Sequence, residues 1–186
     1  MLVAKQVADL ITFARGLLGF WLAWLGFTHV DQTLTLAVWI MIADWTGDSI
    51  DSALARSSRI RYHTWIGDHD LEIDITVSAG LLIFMLRAGF LQWQMVVIYL
   101  LIWAVIFWRW SFYRSLGMLI QAPIYAVFIW IALREPPHAG WWLVGWVTAA
   151  VIITWPRFLT DVVPRFLGGI NVIREDEKNS NQRNNQ

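Results

Sequence analysis

The chain has no cysteine. Disulfides, thiolate metal sites and a cysteine nucleophile are therefore excluded, and nothing is learned about the compartment. It also has no net charge, with 14 Lys and Arg against 14 Asp and Glu. A zero balance offers no global basic field, so nucleic acid is not an expected partner. No internal repeat is visible, and there is no Walker loop, dinucleotide glycine fingerprint or serine-hydrolase elbow. A cleaved signal is not apparent either. Lys5 is the only early positive charge, and Asp9 and Arg15 interrupt the first apolar stretch. Charge is scarce throughout, at 15% of residues. What replaces it is apolar: 58% hydrophobic residues, 14 Trp and a mean hydropathy of +0.51. A soluble domain has more charge and fewer aromatics, so the composition reads as an all-α integral membrane protein.

A spanning helix needs about 20 mainly apolar residues. Six segments approach this, over residues 10–27, 34–56, 70–90, 94–112, 116–133 and 140–159. Residues 1–9 could add a short interfacial helix before the first. Residues 1–173 thus read as one six-helix membrane domain, and the polar run over 174–186 as a disordered tail. Pro136 and Pro137 mark one connection. Trp93, Trp108, Trp110, Trp141, Trp142 and Trp155 fall near segment ends, where amphipathic rings favour the interface. Arg56, Arg59, Arg61, Arg109, Arg114 and the basic residues of the C-terminal region fall on one side, against Arg87 and Arg134 on the other. By the positive-inside rule both termini are cytoplasmic, in what reads as the inner or plasma membrane of a prokaryote.

Seven of the 14 acidic residues lie between Asp44 and Asp74. At about 100° per residue, Asp44, Asp48, Asp51, Ser52 and Ala55 share one helical stripe, with Arg56 at its edge. In the stretch IGDHDLEID, Asp70 and Asp74 stack on one face, while Asp68 and Glu72 form the opposite pair. One pair can face the bundle and the other loop or solvent. Each charge at bilayer depth costs about 2.5–3.5 kcal/mol, and neighbouring carboxylates also repel. Either some are protonated or cations sit among them. A hard divalent ion with oxygen ligands is a natural partner, and Mg²⁺ commonly adds substrate phosphates to a few carboxylates. The bland alternative is a solvated helix end at the membrane boundary.

These residues resemble the CDP-alcohol phosphatidyltransferase family, whose pattern is D-x2-D-G-x2-A-R, eight or nine residues, then G-x3-D-x3-D. Asp48, Asp51, Ala55, Arg56, Asp70 and Asp74 match six of its eight fixed positions in order, with thirteen residues between Arg56 and Asp70. Ser52 stands at the first glycine, and the second is displaced from Ile66 to Gly67. The run LITFARGLL, beginning at Leu10, is similar to the family's first helix, which often reads Leu-Thr-x-x-Arg. The resemblance implies a six-span homodimer that transfers a phosphatidyl group from a CDP-linked lipid, such as CDP-diacylglycerol, to a small alcohol and releases CMP. It implies that Asp48, Asp51, Asp70 and Asp74 hold Mg²⁺ or Mn²⁺, two ions in all, with Asp74 as the base. Arg56 then contacts the donor's diphosphate, Ser52 and Ala55 leave room for the nucleotide, and Thr12 joins the nucleotide pocket. The site would meet membrane lipids at the cytoplasmic face.

Two other classes stay open: a divalent-cation membrane transporter, and a relative that binds nucleotide or lipid without turnover, for which Ser52 and Gly67 speak. Arg109 and Arg114 serve either as anchors or as contacts to a phosphorylated acceptor. His63 and His69 have no helical ligand spacing for zinc. Gln121 is a candidate interhelical hydrogen-bonding group, and Pro123 a helix bend.

Overall fold

A computed structural model describes residues 2–28, 33–57, 69–110, 114–135 and 138–155. They form six α-helices in chain order: α1 Leu2–Leu25, α2 Thr33–Ser57, α3 Asp70–Arg87, α4 Trp93–Trp110, α5 Arg114–Arg134 and α6 Gly140–Thr154. No strand occurs among the described residues. Two stretches, Gln6–Leu25 and Leu116–Arg134, are long and apolar enough to cross a membrane, at 20 and 19 residues. The expected tail over 174–186, and the end of the sixth segment beyond 155, lie outside the described residues.

The N-terminus differs from expectation. Residues 2–9 form the first turns of α1 rather than a separate interfacial helix. No proline or glycine interrupts the sequence before Gly16, so hydrogen bonding continues straight into the apolar run. The third segment ends earlier than its hydropathy suggests, at Arg87. Gly89 takes φ 83°, the left-handed region open to glycine. The N–H groups of Phe90 and Leu91 then turn back to Met85 O at 2.9 and 3.2 Å, which caps the helix.

The bundle is built around α1 and α3, which pack on each other more extensively than any other pair, with α2 on α1, α5 on α3 and α6 on α5. Glycine explains the intimacy. A Cβ at Gly80 would lie 2.0 Å from Gly19 O, so the two backbones cross where neither has a side chain. Leu22, Val38, Met41, Val77, Leu81, Phe84, Phe128 and Leu143 fill the core. The outward surface is also apolar: Phe20, Trp24, Ile98, Leu101, Trp108 and Ile153 are all exposed. The hydrophobic core cluster and much of the outer surface are thus both apolar. Helix α4 lies at the edge, and its Tyr99 hydroxyl donates to Ile120 O in α5. That carbonyl lies one turn before Pro123, whose missing N–H opens the helical ladder nearby.

Candidate functional site

The carboxylates of the acidic stripe converge on one cation, Arg15. Helix α1 carries Thr12 and Arg15 three residues apart, hence on one face. Helix α2 presents Asp44, Asp48 and Asp51 to that face, and the first turns of α3 present Asp74. Arg15 Nε lies 3.1 Å from Asp44 Oδ1. Nη1 lies 2.9 Å from Asp48 Oδ1 and 3.8 Å from Asp51 Oδ2, and Nη2 donates to Asp74 Oδ1 at 2.5 Å. The planar five-donor fork of arginine suits such multiple engagement; a lysine ammonium lacks the span.

Local sequence makes the room. A Cβ at Gly47 would lie 3.3 Å from Ile11 Cγ2 and 3.4 Å from Arg15 Cγ and Cδ, so the arginine stem runs close along α2 there. Thr12 is buried and donates to Asp51 Oδ2 at 2.6 Å, sharing its hydroxyl with Ala8 O at 3.1 Å. Thr12, expected at a nucleotide pocket, here braces a carboxylate.

Exposure grades the cluster. The side chains of Asp44 and Arg15 are 2% and 5% exposed, Asp51 14%, Asp74 28% and Asp48 47%. Asp44 lies one turn deeper than Asp48, about 6 Å along the helix. The cluster is thus closed at Asp44 and open at Asp48, on the side where α2 ends and α3 begins. Among the described residues, four carboxylates meet one guanidinium.

The remaining expected residues fall as follows. Ser52, Ala55 and Arg56 lie on the last two turns of α2, and Asp70 opens α3, but their side chains lie outside the described residues. Asp68, His63 and the arginines at 59 and 61 also lie outside them. The open choice between acidic pairs resolves on the described members: Asp74 faces Arg15, while Glu72 is exposed. Among the described residues, no three His, Cys, Asp or Glu side chains are grouped as metal ligands.

Arg15, which the sequence shows as an interruption of an apolar run and as the arginine of the Leu-Thr-x-x-Arg resemblance, was given no site role there, yet it is the cation these carboxylates meet. The signal was available: an ionisable residue inside a spanning segment implies a buried partner. Asp44, a member of the helical stripe that the resembled motif does not include, is the deepest contact of the cluster. Gln121, expected to bond between helices, donates to Gly117 O at 3.1 Å and accepts from Tyr125 at 3.2 Å, both within α5.

Behind α2 the surroundings are aromatic. Trp45 packs edge-on against Tyr125 at 5.7 Å and tilted against Trp146 at 5.6 Å. Trp146 Nε1 donates to Thr46 Oγ1 at 2.9 Å, fixing α6 to α2. These contacts hold the back of α2 while its acidic face turns to α1 and α3. Compared with protein-family models, curated proteins and solved structures, the chain finds no match.

Proposed function

We propose that the protein is a metal-dependent CDP-alcohol phosphatidyltransferase, with six membrane spans, both termini in the cytoplasm and the acidic cluster at the cytoplasmic face. The observation that carries this reading is the gathering of Asp48, Asp51 and Asp74, three residues of the resembled motif, around one guanidinium at 2.9, 3.8 and 2.5 Å. The side chains gathered there are carboxylates, the donor type a hard divalent cation takes.

In this reading Asp48, Asp51, Asp70 and Asp74 hold Mg²⁺ or Mn²⁺, two ions in all. When bound, the metal neutralises the donor's diphosphate and polarises its phosphorus. The chain's residues do the rest. Asp74 takes the acceptor hydroxyl's proton, the acceptor oxygen bonds to the phosphorus bearing the lipid, and the bond to CMP breaks. Arg56 steadies the diphosphate, and Thr12 fixes the orientation of Asp51. The open side of the cluster admits a water-soluble alcohol, while the donor's acyl chains remain in the bilayer. A homodimer is part of the same reading.

The test is CMP release from CDP-diacylglycerol and Mg²⁺, screened over glycerol phosphate, inositol phosphate, inositol, serine and choline. The reading expects release with at least one acceptor. A folded wild-type protein that releases none counts against it. Ser52 at the motif's first glycine favours a second reading, a relative that binds nucleotide or lipid without turnover. Its mark is thermal protection by CMP in wild type and Ser52→Gly, with turnover in neither.

A further inference from the structure

The end of the bundle opposite the acidic cluster carries a cation that the catalytic reading leaves unused. Arg87 closes α3, thirteen residues beyond Asp74 and about 20 Å along the helix. Its guanidinium lies 4.4 Å over the Phe27 ring. The ring covers one face of the guanidinium, and the N–H donors, which lie in its plane, point elsewhere. Among the described residues no carboxylate pairs with it. The surrounding sequence supplies none either, since residues 75–134 contain no Asp or Glu. Arg87 lines an open depression with Gln92, Trp93 and Gln94, all exposed where α4 begins. A tryptophan at such a helix end sits at headgroup level in a bilayer.

Beside this depression an apolar slot of about 180 Å³ lies between α3, α4 and α5, walled by Met85, Leu91, Met95, Ile124 and Val127 among others. An apolar cavity of about 150 Å³ stays dry and takes a benzene-sized ligand, so this slot has room for several carbons of a hydrocarbon chain. Met95 and Val127 are exposed, so the slot opens to the outside of the bundle. Ile124 lies ten residues before Arg134, about 15 Å in from that end of α5, which is acyl depth. Leu91 is a wall of both the depression and the slot. The left-handed turn at Gly89 folds it back, with its N–H bonded to Met85 O at 3.2 Å. The cationic mouth and the apolar slot are thus continuous across one side chain.

We propose that mouth and slot together bind an anionic phospholipid on the face opposite the acidic cluster, its phosphate at Arg87 and one acyl chain between α3, α4 and α5. This rests on the membrane-spanning reading above and not on the chemistry assigned to the acids. The slot alone would take any apolar group, and the cation alone any anion. Their junction at Leu91 selects a ligand that carries both. Arginine suits the polar end, because its fork matches phosphate oxygens, and the absence of neighbouring acids leaves its charge uncompensated for an anionic headgroup.

The experiment is native mass spectrometry of the detergent-purified full chain titrated with phosphatidylglycerol, for wild type, Arg87→Gln, Val127→Trp and Arg134→Gln. Wild type is expected to retain the lipid, and Arg87→Gln to bind it about fivefold more weakly. Val127→Trp fills the slot and should weaken binding at least as much. Arg134→Gln removes an equal charge at the same end, over the Trp130 ring and away from the slot, and should leave binding unchanged. Phosphatidylglycerol with a photoreactive group midway along one acyl chain should cross-link at Met85 or Met95 in wild type, which decides the matter even where a variant misfolds. Equal weakening by Arg87→Gln and Arg134→Gln, no effect of Val127→Trp, or cross-links only outside the slot would each overturn the proposal. A slot filled by a helix of a second copy would give a dimer that Val127→Trp dissociates with lipid retention unchanged, and that overturns it too. A chain that stays with the membrane fraction but retains no phosphatidylglycerol overturns this inference alone. A chain that is soluble without detergent overturns the spanning reading with it.

Discussion

The first three helices and the last three are built on different terms. Helices α1 to α3 carry Arg15 and the four carboxylates it meets, and they cross backbone to backbone at Gly19 and Gly80. Helices α4 to α6 contain no Asp or Glu. They join the rest through core side chains such as Phe128 and Leu143, aromatic rings and hydrogen bonds such as Trp146 to Thr46 and Tyr99 to Ile120. The difference teaches where rigidity is spent. A cluster of like charges holds its geometry only if the helices bearing it cannot drift apart, and glycine crossings limit that drift. The other half has no acidic cluster to protect, although Gly140 lets α6 meet the α5 backbone closely too.

The comparison can be broken or sharpened by substitution in each half. The largest effect is expected on turnover. Asp74→Asn should lower CMP release about 10²–10⁴-fold by removing the base. Ile98→Ala, on the exposed face of α4, should leave it unchanged; a matching loss there would dissolve the distinction between the halves. Next comes stability. Arg15→Met strands the buried Asp44 carboxylate and should cost about 3–5 kcal/mol in detergent unfolding. Arg134→Met, which removes an exposed cation over the Trp130 ring at 4.3 Å, should cost about 1 kcal/mol or less. Glycine gives a sharper contrast. Gly80→Ala drives a methyl into Gly19 O and should cost about 1–3 kcal/mol or more. Gly145→Ala in α6 meets nothing within 4 Å and should stabilise by up to about 1 kcal/mol. A single hydrogen bond is tested by Trp146→Phe, which should cost about 0.5–1.5 kcal/mol with CMP release preserved.

Much of this division is legible in the residues themselves. The apolar runs define six helices because hydropathy and length act locally. The i, i+4 spacing of Asp44 with Asp48, and the Asp48-x2-Asp51 step, put three acids on one stripe because helix geometry is fixed. That α3 brings Asp74 to the same place is not local, and only the ordered motif hinted at it. Arg15 was harder to read. Its partners lie 29 to 59 residues away, so no window of sequence contains the pair. Gly19, Gly47 and Gly80 look like ordinary helix glycines until the crossing backbone and the arginine stem are placed beside them. The end of α3 at Arg87 was missed for a related reason. Phe90 and Leu91 extend the apolar run, but the left-handed turn at Gly89 overrides hydropathy.

The central claim is that the acids at the junction of α2 and α3 serve metal-dependent phosphatidyl transfer. It is tested most directly by following CMP liberated from CDP-diacylglycerol by wild-type protein and Asp74→Asn, with Mg²⁺ and then with excess chelator. The account predicts release by wild type that requires both Mg²⁺ and an acceptor, and none above background from Asp74→Asn. Equal release from the two proteins, or release indifferent to the chelator, would contradict it.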